Sequence, residues 1–125
     1  MDIEKYWNAV LGQDASAMRK FFREDACICW HNTNEQFTTE EFIRANCEYP
    51  GEWEGELRRL EQNGEQMVTV VQVRAKDESA SFHVVSFLRI QEDKICSLDE
   101  YWGEDGEAPE WRQDVSANTG SEPEF

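Results

Sequence analysis

Apolar residues recur at helical spacing through the first part of the chain. Ile3, Tyr6, Trp7 and Val10 fall on one face, which predicts a helix from Asp2 to Leu11. Gly12 closes it, and Asp14 can cap a second helix carrying Ala17, Met18, Phe21 and Phe22. The period then changes to alternation in "DACICW", Asp25 to Trp30, a short strand, and "HNTNEQF" follows as a polar loop. Thr38 with Glu41 matches a capping box, so a third helix is expected from about Thr39 to Glu48, ended by Pro50 and Gly51.

From Trp53 onward the pattern is strand-like. Trp53 to Leu60, Met67 to Ala75, Ser81 to Ile90 and Ile95 to Trp102 are separated by "QNGE", "KDES" and "QEDK", with the Asn-Gly pair a hairpin signal. Helices followed by an antiparallel meander make an α+β class. The strands around Val70 and Val85 are apolar on both faces, so one face should curl around the three helices. The outer face should be covered by a second subunit in a homodimer. Residues 1–102 read as the domain, and residues 103–125, acidic and rich in Gly, Pro and Ser, as an irregular tail that Trp111 could anchor.

Composition narrows the function. A chain of 125 residues is one domain with room for one core. A net charge of −15 argues against nucleic acid and against an anionic membrane surface. No apolar run approaches the roughly 20 residues of a membrane span, and the N-terminus has no leader pattern. A cytoplasmic location is therefore expected, with the four cysteines as free thiols. Cys27, Cys29 and His31 alternate on one strand face and invite a zinc reading. Extended i, i+2 ligands stand about 6.5 Å apart, too open for the usual tight Cys turn, so no metal is expected there. There is no phosphate-binding glycine loop and no cofactor is expected.

Two stretches carry a family resemblance. "WNAVLGQDASAMRKFFREDACICW" and "SFLRIQEDKICSLDEYW" resemble the opening and the last two strands of nuclear transport factor 2-like domains. These include the SnoaL-like polyketide cyclases and the ketosteroid isomerases. The resemblance implies a cone-shaped curved antiparallel sheet around three helices, with a pocket inside and dimers through the outer sheet face. Against the isomerases, their pocket tyrosine falls at Tyr6. Their general base falls at Trp30 and their second acid at Ser86, so both acids are missing. A pocket without its base should not run that proton shuttle.

The same comparison sets which strand residues face inward: Ile28, Trp30 and Asn32; Phe82, Val84, Ser86 and Leu88; Leu98, Glu100 and Trp102. Glu100 among apolar neighbours should have a raised pKa, which suits a general acid or base. Tyr6, Ser86 and Asn32 could orient a substrate oxygen, and Trp30, Trp53 and Trp102 could form an aromatic wall. In the blander reading, Glu100 is a structural group bonded to Tyr6, Asn46 or a backbone amide. His83 and His31 fall on the outer face, His31 less constrained at the pocket rim. "YPGEWEG" reads as a loop at the pocket mouth. The expected function is small-molecule binding, with or without cofactor-free isomerisation, cyclisation or dehydration through Glu100. The alternatives are a non-catalytic ligand-binding or protein-interaction module, or a cone filled by its own side chains.

Overall fold

The computed structural model describes residues 1–115. Helix α1 (Ile3–Leu11) starts where the Asp2 carboxylate accepts the Lys5 amide, and stops where the Gly12 N–H reaches the Asn8 carbonyl. Helix α2 (Ala15–Arg19) is capped by Asp14 and is shorter than its apolar pattern implies. Phe21 and Phe22 lie beyond it, and Phe22 opens strand β1 (Phe22–Trp30) three residues ahead of Asp25. The register against its neighbour shifts between Phe22 and Cys27, where Arg23, Glu24 and Asp25 interrupt the alternation. That irregularity hid the strand's start. A 3-10 turn (His31–Thr33) and left-handed Asn34 lead to strand β2 (Glu35–Phe37), which pairs back on β1. The sequence reads these residues as a loop because three residues cannot display a period. Helix α3 (Thr39–Glu48) has both hydrogen bonds of the expected capping box.

Strands β3 (Trp53–Asn63), β4 (Gln66–Ala75), β5 (Ser81–Gln91) and β6 (Lys94–Glu104) form the meander. The single sheet runs β2-β1-β6-β5-β4-β3. It is mostly antiparallel, as expected from the meander, with one parallel pair that the sequence did not reveal. β1 and β6 pair in parallel, Cys29 opposite Asp99 and Trp30 opposite Glu100. No hairpin joins these two strands, so the chain between them is long enough to bring β6 in from either direction.

The sheet curls into a cone around the helices. Ile28, Val71, Val84, Leu88 and Leu98 fill its concave side against Tyr6, Trp7 and Phe42, all buried. The inward sets expected for β1, β5 and β6 point this way. The convex side carries Val68, Val70 and Val85, with Phe87 and Tyr101 36% and 45% exposed. Strand β6 runs two residues past the expected domain edge. Asp105 then accepts the Ser81 hydroxyl at 2.5 Å and contacts His83, so the start of the tail is tied to the sheet. Trp111 is 76% exposed in a turn (Glu110–Arg112), with the Arg112 guanidinium 5.4 Å from its ring. It does not anchor the tail to the body. The tail after Val115 lies outside the described residues.

Gly55 is where β3 must pass close to its neighbours. A Cβ there would meet the Gln72 carbonyl at 2.6 Å and Leu11 Cδ1 at 3.2 Å. The carbonyl belongs to the backbone of β4 and cannot yield. Gly55→Ala is therefore expected to lower stability by about 2–3 kcal/mol, measured by urea unfolding. An unchanged midpoint would show that the strands can separate at this point.

Candidate functional site

One cross-strand row organises the concave face. Thr69, Ser86, Glu100 and Trp30 stand opposite one another on β4, β5, β6 and β1. Glu100 is 2% exposed. Its Oε1 accepts the Trp30 indole N–H at 3.1 Å and its Oε2 accepts the Ser86 hydroxyl at 2.5 Å. At the far end of the row, Thr69 Oγ1 accepts the Trp7 indole N–H at 3.3 Å. Burial raises the Glu100 carboxyl to about 6, even with the bonds from Ser86 and Trp30 pulling it down. Tyr6 is also fully buried, and its hydroxyl is pushed well above its ordinary value by burial and by the charge of Glu100. That hydroxyl has no hydrogen-bond partner among the described residues.

Above this row lies a cavity of about 350 Å3. Trp7, Trp30, Trp53, Trp102 and Phe82 form most of its wall, with Val10, Leu11 and Val73 between them. Rings Tyr49, Trp53, Phe82 and Trp102 follow one another at centroid distances of 5.6, 6.0 and 6.0 Å. Gln13, Asn32, Thr33, Glu35 and Asn46 supply its polar atoms. The turn between α1 and α2 reaches the cavity because Gln13 adopts φ +53° and donates to the Asn46 and Tyr49 carbonyls at 2.9 and 2.7 Å. Asn32 clasps the Trp102 backbone from both sides, donating to its carbonyl and accepting its N–H.

Of the residues singled out from sequence, Trp30, Asn32, Trp53 and Trp102 line this cavity, and Tyr6, Ser86 and Glu100 do not. Glu100 touches the cavity only through Trp30. Its partners are Trp30 and Ser86, in place of the Tyr6, Asn46 or amide contacts of the structural reading; Asn46 donates to the Val10 carbonyl. Gln13, Asn46 and Glu35 were not assigned to the wall by sequence. The left-handed turn at Gln13 and the short β2 carry no sequence period that would place them there.

The convex face holds the histidines. His31 is held more firmly than its rim position suggests, with Nε2 2.7 Å from Asp99 Oδ1 and its ring stacked on Tyr101 at 4.7 Å. His83 contacts Asp105. The thiols are free, and Cys27 accepts from Gln36. The parallel pairing instead gathers Cys29, His31 and Asp99, whose ligand-type atoms lie within 4.8 Å of one another. No helix among the described residues is long and apolar enough to cross a membrane.

The SnoaL-like domain model matches residues 3–98. The chain belongs to the SnoaL-like domain family. No curated protein matches it. Among solved structures, this SnoaL-like chain is similar to a proposed ketosteroid isomerase from Kribbella flavida, at 22% identity and TM-score 0.80, covering 98% of this chain and 90% of that one. An NTF-2 like protein of unknown function from Burkholderia xenovorans has 20% identity and TM-score 0.77, covering 94% and 92%. A protein with a ketosteroid isomerase-like fold from Catenulispora acidiphila, solved with trimethylamine, has 16% identity and TM-score 0.65, covering 79% and 82%. At these identities the likeness establishes the shared fold.

The raised Glu100 carboxyl makes a pH prediction. The folded chain keeps this proton to higher pH than the unfolded chain does. The stability it contributes is whole below about 4.5 and is lost as pH rises through about 6. The gap between those values corresponds to about 2 kcal/mol at neutrality. Glu100→Gln can keep both hydrogen bonds, accepting from Trp30 and donating to Ser86 Oγ. Its stability relative to the parent should rise by about 2 kcal/mol between pH 4 and pH 7, followed by urea unfolding. A flat difference would mean that Glu100 titrates at the ordinary value.

Proposed function

We propose that this chain binds a small, largely apolar molecule in the aromatic cavity, with Trp30, Trp53 and Trp102 as walls and Asn32 bracing the mouth. The observation that carries this reading is the cavity itself: about 350 Å3 lined by four tryptophans, within the usual size and character of small-molecule sites. The Catenulispora acidiphila relative, solved with trimethylamine, supports a small-molecule role for the fold. Binding is favoured over open acid-base chemistry because Glu100 sits behind Trp30 with both oxygens engaged.

The second reading is cofactor-free isomerisation, cyclisation or dehydration, and one observation favours it. A carboxyl held near 6 is suited to moving a proton at neutral pH, and one indole separates it from the cavity. A ligand that displaces Trp30 would take over its hydrogen bond. Ser86 would then hold the carboxylate, and Tyr6 would stay behind it as a positioning group. The four free thiols suit a reducing cytoplasm. The convex patch of Val70, Val85, Phe87 and Tyr101 suits pairing with a second copy.

Solvent extraction of the native protein, followed by mass spectrometry, should release a small organic molecule that is absent after unfolding and dialysis. With the emptied protein, tert-butylbenzene should change tryptophan fluorescence saturably. Failure of both would overturn the binding reading. For the assembly, light scattering should give twice the chain mass for the parent and a single chain mass for Phe87→Glu. A parent that is monomeric at about 100 μM would overturn the pairing, since a dimer with a Kd near 1 μM persists at that concentration.

A further inference from the structure

The cavity is unbalanced in its chemistry. Three of its four tryptophans turn their N–H groups away from it: Trp7 onto Thr69 Oγ1, Trp30 onto Glu100 Oε1, and Trp53 onto the Pro50 carbonyl at 3.2 Å. These indoles therefore present carbon surface to the cavity. The amide donors are engaged too. Gln13 Nε2 serves two carbonyls, Asn46 Nδ2 reaches the Val10 carbonyl and the Met18 sulfur, and Asn32 Nδ2 reaches the Trp102 carbonyl. The side-chain oxygens of Gln13 and Asn46 carry no hydrogen bond among the described residues, and Glu35 adds a carboxylate. The lining thus offers mainly aromatic carbon and oxygen acceptors, with the Trp102 indole and the second Asn32 amide hydrogen as its remaining donors.

Charge points the same way. No Lys, Arg or His is among the described lining residues. Glu35 lines the cavity as an exposed residue whose Oε1 accepts the Thr33 hydroxyl at 2.7 Å, and the Glu100 carboxylate accepts the Trp30 indole N–H from behind. An indole whose N–H donates to a carboxylate gains electron density in its ring, which deepens the negative potential over its face. An aromatic enclosure with negative charge around it attracts cations through the ring quadrupoles. An anion would meet no cationic side chain among the described lining residues and would enter at a large desolvation cost.

We propose that this cavity selects an organic ammonium ion with an apolar body, tertiary or quaternary, over neutral and anionic molecules of the same shape. The inference rests on the cavity being the ligand site. Glu35 would face the charged end, and the Trp53, Phe82 and Trp102 rings would enclose its alkyl groups.

Three probes of nearly one shape test it: phenyltrimethylammonium, tert-butylbenzene and benzenesulfonate. Each is titrated into the full chain by tryptophan fluorescence, in about 0.5 M NaCl to screen the acidic exterior. Phenyltrimethylammonium should bind at least about tenfold more tightly than tert-butylbenzene, and benzenesulfonate should not saturate. Glu35→Gln should weaken the cation severalfold more than it weakens tert-butylbenzene. If tert-butylbenzene binds as tightly as the cation, or benzenesulfonate binds, the charge selectivity is wrong and the cavity remains the binding site. If none of the three binds, both the selectivity and the cavity reading fall.

Discussion

The concave face depends on one buried carboxylate. Glu100 is surrounded by apolar side chains and would be costly there without partners. The Trp30 indole and the Ser86 hydroxyl supply them, from the two strands on either side of β6. Each bond also fixes something else. The first turns Trp30 so that its N–H is spent inward and its carbon surface faces the cavity. The second locks β5 to β6 in the register that sends Val84, Leu88 and Leu98 inside. A slip of one residue would place Glu100 outside with Tyr101 in its stead, and would dismantle the core with it.

The cavity exists because the helices cover only part of the curled sheet. On helix α1, Tyr6 packs edge-on against Trp7, Phe21 and Phe22, while Trp7, Val10 and Leu11 reach the cavity. The cavity lies between helices α1 and α3 and the sheet. The space between is bounded by large flat side chains whose polar edges are tied elsewhere. Trp53 holds the Pro50 carbonyl, Trp7 holds Thr69, and Asn32 holds the Trp102 backbone. Each tie opposes collapse of a ring into the hollow, because moving the ring inward would break its hydrogen bond.

The family frame agrees with this design but leaves the chemistry open. Membership of the SnoaL-like family fixes the fold and does not by itself fix an activity. In this chain Trp30 stands on the cavity wall, and Glu100, the buried acid among the described residues, lies behind it with both carboxylate oxygens engaged. This arrangement concentrates the negative charge near the cavity without placing it in open contact, apart from Glu35 at the wall.

Much of this was legible in the residues. The spacing of Ile3, Tyr6, Trp7 and Val10, the Thr38–Glu41 box and the alternating strands after Trp53 each specify a local element, because backbone period and capping are short-range properties. The inward parity of Trp30, Ser86 and Glu100 followed once the family resemblance fixed one register. The parallel pairing of β1 with β6 and the gathering of Cys29, His31 and Asp99 were not legible, since they depend on segments some seventy residues apart; the start of β1 was hidden by an interrupted alternation, and β2 is too short to show a period. Nor could the sequence tell that Glu100 would be sealed behind Trp30, because a strand's period gives the face of a side chain and never its depth. The chain alone determined which residues turn inward; only their packing in three dimensions decided which of them meet the cavity, because a hollow is bounded by elements that the sequence holds far apart.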